Sequence, residues 1–300
     1  MKKIPLLLSL TAAFLLNVYT SRCQDTDSTG LPGDHFSLQG ALEMFKKASS
    51  PEEFEKLINT ESNNVNNLDL NGDGEIDYVH VIDKSEKDAH AFVLQVAVSE
   101  TENQDIAVIE LEKDGDESAV LQIVGDEEIY GEQMIVEPSD GTSGDDDDSP
   151  ARNGPSFNFD NTNIVINVWL WPSVRFVYRP AYVPWASPWR WRTHPNWWHP
   201  WHPAPWRVFH PRVVGFHPYC RVVHTHRVIV AHRVYTPFRS TSVFVHTRHV
   251  TAVNHYRNTR TIRTVRVAGP RGVRTTTTVR GRDGDVKYKE TKVKGRVRRG

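Results

Sequence analysis

One short stretch of the sequence, residues 69–77, carries an oxygen-bearing side chain at nearly every second position. Calcium ions in proteins take six to eight oxygen ligands at about 2.3–2.6 Å, and a chain can wrap such an ion by presenting alternate side chains to it. Gly74 lies where this wrapping requires a sharp turn. The sequence therefore predicts a Ca2+ site, with Glu75 contributing its backbone carbonyl, and its ligands are Asp69, Asn71, Asp73, Glu75 and Asp77.

The first half of this stretch resembles the EF-hand calcium loop, because residues 69–74 match D-x-[DN]-x-[DN]-G. An EF-hand closes with a bidentate Glu at position twelve, and that position here is His80. Residues 76–82 are rich in β-branched and aromatic side chains, which favours a strand over the exiting helix of an EF-hand. The loop is also similar to the calcium loops of integrin-type repeats, a resemblance that implies direct binding by Asp77. The alternative is an Asn/Asp/Gly-rich turn without metal.

A wider resemblance covers the segment that contains this loop. Residues 67–74 and 93–98 are similar to a set of uncharacterised exported proteins of Gram-negative bacteria. The resemblance implies export and no known activity.

The amino-terminal sequence is typical of a secretory signal peptide, with Lys2 and Lys3 ahead of an apolar run at residues 4–18. Cleavage after Cys23 is expected, and lipidation of Cys23 is the alternative. We therefore expect an exported protein, either periplasmic, associated with the outer membrane or secreted. The mature chain would keep a single cysteine, Cys220, which excludes an internal disulfide.

The near-neutral total charge conceals two halves of opposite sign. Residues 24–160, the acidic half, hold 34 Asp and Glu against 7 Lys and Arg, whereas residues 161–300, the basic half, hold 3 against 26. Composition predicts a signal peptide (1–23), an acidic α+β calcium-binding domain (24–137), a flexible acidic linker (138–163), a Trp/Pro-rich segment (164–206) and a basic His/Arg/Val-rich region (207–300). The opposite charges further predict that the two halves pair within the chain.

The acidic domain is expected to have an α+β fold. Residues 37–47 show helical spacing of apolar side chains, and Ser50 followed by Pro51 and Glu53 is typical of a helix start. Residues 90–98, 105–112 and 118–124 favour strands joined by short turns. The prediction is a small helical pair packed on an antiparallel β-meander, with the calcium loop at the join and a basic low-complexity region, partly β or disordered, after it.

The basic half begins with an aromatic stretch in which all nine tryptophans lie between Trp169 and Trp206, together with eight prolines. The prolines exclude a continuous membrane-spanning helix. Exposed tryptophan beside arginine favours contact with an anionic envelope surface or polyanion, such as lipid A, acidic phospholipid or polysaccharide. Nucleic acid would bind by charge alone, but export argues against it as a physiological partner. The alternative is an aromatic strip packed on the protein's own acidic domain.

Eleven of the fourteen histidines lie between His194 and His255. His224 and His226 on a strand would share one face, with His232 or His217 as a third ligand for a transition metal. Residues 161–282 contain no Asp or Glu, so this region offers neither a carboxylate support for such histidines nor a catalytic pair. The expected function is a non-catalytic, exported Ca2+-binding protein whose basic aromatic region contacts the envelope. The alternative is a His-rich transition-metal-binding protein of the periplasm.

Overall fold

The computed structural model describes residues 28–140 and 165–259 and three C-terminal strands within residues 261–295. The expected signal peptide and residues 141–163 of the expected linker lie outside the described residues. The predictions for these two segments therefore stay predictions.

Two short helices lie on one side of the acidic half. Helix α1 spans Leu38–Lys47. The residue that caps its start is Ser37, whose hydroxyl accepts a hydrogen bond from the amide of Gly40. Helix α2 spans Pro51–Ile58, and the Ser50 hydroxyl accepts from the amide of Glu53. Serine caps satisfy amides that the first helical turn leaves without partners, which is why both helices begin where the sequence predicts.

Five strands of the acidic half form an antiparallel meander, so the predicted α+β fold is confirmed. Four of them correspond to predicted strand segments, whereas the fifth, at residues 134–138, was not predicted. Each strand pairs with the next along the chain, and a bulge between Leu94 and Gln95 interrupts the second pairing. A one-turn helix, α3 (Glu127–Tyr130), precedes the last of these strands. The strands are β1 (Val79–Glu86), β2 (Ala89–Ala97), β3 (Asn103–Gly115), β4 (Ser118–Gly125) and β5 (Met134–Pro138).

The sheet continues into the basic half of the sequence. A sixth strand, β6 (Cys220–Val223), pairs antiparallel with β5, with Glu137 opposite Arg221. The boundaries drawn from composition therefore do not separate independent sheets, because one sheet contains strands from both halves.

Helices α1 and α2 cover the first face of the sheet. Their buried side chains Phe45 and Phe54 meet edge to face at 5.2 Å between ring centroids, and Phe45 also contacts Phe92 of β2. Burial of such apolar rings is the main favourable contribution to folding. The residues of this core include Leu38, Leu42, Phe45, Phe54, Ile58, Val81, Phe92, Leu94, Ile109 and Ile123.

Residues 165–259, here called the covering segment, contain four further α-helices. They are α4 (Pro172–Val177), α5 (Trp206–Val213), α6 (Ile229–Tyr235) and α7 (Val243–Thr259). The basic region contains short Arg-Val units in different structures: Arg221-Val222-Val223 lies in strand β6, whereas Arg233-Val234-Tyr235 ends α6. Residues 229–235 form a helix because the buried residues Val228, Ala231 and Tyr235 recur at helical spacing, which places all three on one side of the chain.

Helix α6 and the residues before it cover the second face of the sheet. Tyr235 packs on a small apolar cluster from β2 to β5, and Val228 and Ala231 pack on Ala89. This face would otherwise expose a continuous apolar patch to solvent. The sheet residues of the cluster are Ala91, Val93, Val108, Val124 and Ile135.

Charged contacts also join the covering segment to the acidic half. Arg221 and Arg227 both bind the buried carboxylate of Glu137, at 3.0 and 2.8 Å. Arg239 binds Asp126 at 2.7 Å and Glu127 at 3.1 Å. The two halves of opposite charge are thus in direct contact at a partly buried interface.

The C-terminal strands form a separate three-stranded antiparallel sheet, in the order β7 (Thr261–Gly269), β8 (Gly272–Arg280) and β9 (Val286–Gly295). Strands β8 and β9 lie in the region that the sequence predicts to be partly β or disordered, and they pair antiparallel.

A chain that ends at residue 140 should lose cooperative unfolding, because it lacks β6 and exposes the apolar cluster on the second face. We expect it to bind a hydrophobic dye strongly in the way partly folded proteins do. A chain that ends at residue 259 is the matched control and should keep a sharp thermal transition. Equal transition midpoints for the two truncated chains, measured by circular dichroism, would contradict this prediction.

Candidate functional site

The calcium loop, residues 69–77, lies between the helical layer and β1 and is anchored at both ends. The side chains of Leu70 and Ile76 are buried. Asp77 donates its amide to the Leu68 carbonyl at 2.8 Å, and its carboxylate accepts from the amide of Leu70 at 2.6 Å. These two bonds close the loop, so its position is set by the core on which it rests.

Three of the predicted ligands fold the loop by binding its own amides. The Asp69 carboxylate accepts from the amides of Gly72 and Gly74, at 2.7 and 3.1 Å. Asn71 accepts from the amide of Asp73 at 2.8 Å, and Asp73 accepts from the amide of Glu75 at 2.9 Å. Both glycines have positive φ, +76° and +86°, a conformation that other residues adopt only at a cost.

The Asn71 amide nitrogen bridges two predicted ligands. It donates to Asp73 Oδ2 and to Asp77 Oδ1, at 3.0 Å each. The pKa of Asp77 is raised to about 7, chiefly by burial and also by the nearby charges of Asp69 and Asp73, against hydrogen bonds that lower it. The structure thus places Asp69, Asn71, Asp73 and Asp77 in one network, whereas the Glu75 side chain is exposed.

The covering segment contacts the loop from outside. The amide of Ile76 donates to the Trp201 carbonyl at 2.8 Å, and His202 Nδ1 lies 2.8 Å from the Gly74 carbonyl. A Cβ atom on Gly72 would lie 1.9 Å from the Arg248 guanidinium. The loop is therefore located where the two halves of the chain meet.

His80, which replaces the closing ligand of an EF-hand, is a buried residue of β1 and no part of the loop network. Its ring packs against Tyr78 at 5.3 Å, and its Nδ1 lies 3.2 Å from the Gln95 carbonyl. The pKa of His80 is lowered to about 4, chiefly by burial and also by the nearby His194, against the hydrogen bond to the Gln95 carbonyl, which raises it. His80 therefore acts as a neutral packing residue.

A second set of ligand-type side chains meets on the other face of the sheet. Glu110 of β3 contacts His226 Nε2 through one carboxylate oxygen and His232 Nδ1, at 2.7 Å, through the other. The ligand-type atoms of these three residues all lie within 4.8 Å of one another, and we call the group the histidine–glutamate cluster. Hydrogen bonding to Glu110 raises the pKa of His232, against the opposing effect of burial, and the charge of Glu110 raises it further.

This cluster differs from the predicted histidine set in two respects. His226 lies in the loop after β6, and neither His224 nor His217 belongs to the group. His217 lines a different cavity, of about 230 Å3, together with Trp206 and His210. Glu110 lies in the acidic half, far in sequence from these histidines, so the composition of the basic half does not reveal it. Its position between Ile109 and Leu111 is an unusual one for a charged residue.

Cys220, the cysteine within the described residues, is not a reactive thiol. Cys220 points its sulfur toward the Gln39 carbonyl at 3.9 Å, and burial raises its pKa to about 12. A thiol that stays protonated at neutral pH is a poor nucleophile and a poor metal ligand.

Comparisons with protein-family models, curated proteins and solved structures find no match to this chain. Within the described residues, none of the helices combines the length and the apolar character needed to cross a membrane.

His80 should make the protein less stable in acid. Its pKa is about 4 in the folded chain and 6.5 in an ordinary environment, so below pH 6.5 the unfolded chain binds a proton that the folded chain does not. The unfolding free energy contributed by this residue falls by about 3 kcal/mol between pH 6.5 and 4.

The measurement is denaturant unfolding at pH 7, 5.5 and 4 for the native chain and for His80→Asn, whose amide nitrogen matches Nδ1. The variant should lose less stability over this range than the native chain. His255→Asn, at an exposed position, is the control and should lose as much as the native chain. The same pH dependence in all three proteins would refute the assignment.

Proposed function

We propose that this chain is an exported, non-catalytic Ca2+-binding protein in which the ion fixes the junction between its acidic and basic halves. The proposal rests on the calcium loop, whose side chains accept hydrogen bonds from the loop's own amides. Trp201 and His202 of the covering segment also contact this loop. An ion held by the loop would therefore stabilise both halves together.

The chemistry of the loop favours calcium over softer ions. Its ligand-type groups are carboxylates, an amide and backbone carbonyls, and hard oxygen ligands of this kind suit Ca2+. A bound ion would replace the hydrogen bonds that the Asn71 amide nitrogen donates to Asp73 and Asp77, and its charge would favour the ionised form of Asp77. Because His80 gives no closing carboxylate, we expect a Kd on the order of 10⁻⁴ to 10⁻³ M, as in extracellular calcium modules.

Calcium should raise the melting temperature of the full chain, since an ion that binds only the folded state stabilises it in proportion to ln(1 + [L]/Kd). Asp73→Asn keeps the shape of the side chain and removes one charge, so it should reduce or abolish the calcium response. Asp116→Asn, in the exposed turn after β3, is the charge-matched control and should respond as the native chain does. A native melting temperature that is unchanged in 10 mM calcium would overturn the proposal.

Parts of the covering segment remain available to an anionic envelope surface, such as lipid A, acidic phospholipid or polysaccharide. Arg190 and Arg192 are exposed around a short turn, and the Arg192 guanidinium lies 5.6 Å from the Trp191 ring. Trp197 is 43% exposed, in contrast to the buried Trp198. Arginine beside an amphipathic ring suits the headgroup region of a bilayer.

The full chain should bind vesicles that contain acidic phospholipid, with a blue shift in tryptophan fluorescence. Replacing Arg190 and Arg192 by Ala should weaken binding by about 30-fold, at roughly 1 kcal/mol for each basic residue near the surface. Replacing Arg175 and Arg207, also exposed, removes the same charge and is the control. An equal loss in both double variants would assign the binding to net charge and would refute a specific surface at this turn.

A second candidate function, transition-metal binding in the periplasm, is favoured by one observation, the histidine–glutamate cluster.

A further inference from the structure

We propose that Glu110, His226 and His232 form a binding site for a divalent transition ion of the zinc class. This site is distinct from the calcium loop in residues and in chemistry, so the proposal does not rest on calcium binding.

The cluster supplies three protein ligands of the types that zinc accepts, two imidazole nitrogens and one carboxylate oxygen. Their ligand-type atoms lie within 4.8 Å of one another, and the two imidazole rings are 4.2 Å apart between centroids. In a tetrahedral site with bonds of about 2.0–2.1 Å, ligand atoms lie about 3.4 Å apart. Modest side-chain rotations would bring the three groups to that separation.

Glu110 is a fully buried carboxylate whose hydrogen bonds in the described structure go to these two imidazoles. Glu137, a neighbouring buried carboxylate on the same face of the sheet, binds two arginines instead. An arginine is a permanent cation and excludes a metal ion from its carboxylate. An imidazole can exchange its hydrogen bond for a metal bond, so the Glu110 position allows an ion where the Glu137 position does not.

The surroundings hold both histidines in place. The Gln122 side-chain oxygen accepts from the amides of Arg227 and Val228, at 2.7 and 3.3 Å, which fixes the loop that carries His226. The Glu112 carboxylate accepts from the amides of Val230 and Ala231, at 2.5 and 2.9 Å, which fixes the start of the helix that carries His232. Supports of this kind hold metal ligands in orientation and strengthen binding.

The site is accessible from one side. The side chains of His226 and His232 are 19% and 30% exposed, whereas Glu110 is 0% exposed. A cavity of about 110 Å3, lined by His232 and Tyr235 among others, adjoins the cluster. An ion held by these three ligands would keep a fourth position, on the solvent side, for water. Because Ca2+ prefers oxygen ligands, the two nitrogen ligands disfavour it at this site.

The test is titration of the metal-free full chain with Zn2+, followed by calorimetry, and with Co2+, followed by visible absorption. His226→Gln and His232→Asn are the informative variants, because their amide nitrogens match Nε2 and Nδ1 and keep a hydrogen-bond donor toward Glu110. Each should raise the Kd for Zn2+ by at least about 10- to 100-fold, since loss of a ligand costs no less than loss of a support. Each should also abolish the visible absorption of a Co2+ ion with imidazole ligands.

His246→Asn is the control, because His246 Nδ1 lies 2.7 Å from Glu128 at an exposed pair outside the cluster. It should leave the Kd for Zn2+ unchanged. Thermal unfolding without metal verifies that each variant is folded. Equal Zn2+ affinity in folded His226→Gln, His232→Asn and the native chain, or no saturable binding in the native chain, would overturn the proposal.

Discussion

Hydrogen bonding of buried acidic side chains joins the two halves of this chain. Glu110 and Glu137 lie on the second face of the sheet, and the covering segment supplies imidazole and guanidinium donors to them. Asp105 accepts in the same way from the Tyr235 hydroxyl, at 3.0 Å, and from the amide of Ser240, at 2.8 Å. A buried carboxylate without such donors is costly, so neither half can reach this conformation without the other.

The first face shows the same dependence with neutral donors. Glu55 of α2 is buried and accepts hydrogen bonds from Tyr78, Trp185 and Ser187, at 2.9, 3.1 and 2.9 Å. The tryptophan-rich stretch therefore lies partly against the acidic half, with Trp198 packed at 5.1 Å from Tyr78. The proposed contact with an anionic surface would therefore involve the aromatic and basic side chains that this packing leaves exposed.

Local features of the fold could be read from the sequence because they depend on neighbouring residues. Ser37 and Ser50 begin the two helices, the alternating segments form the meander, and the spacing from Asp69 to Asp77 gives one connected loop. The histidine–glutamate cluster could not be read in this way, because Glu110 and His226 are 116 positions apart. They come together only because α6 covers the face of the sheet on which Glu110 lies. The spacing of Val228, Ala231 and Tyr235 identifies the buried side of α6, but it does not identify the face of the sheet that this side packs on.

The pairing of β5 with β6 has a consequence for the order of events during synthesis. Glu137 and Arg221 are 84 positions apart, so the residues of the meander are synthesised, and in the proposed export also translocated, well before the strand that completes the sheet. Contacts this distant in sequence slow folding, and a half-covered sheet with an open edge is prone to aggregation. Until the covering segment is in place, aggregation of the acidic half with other copies must be prevented by a chaperone or by repulsion between their net negative charges.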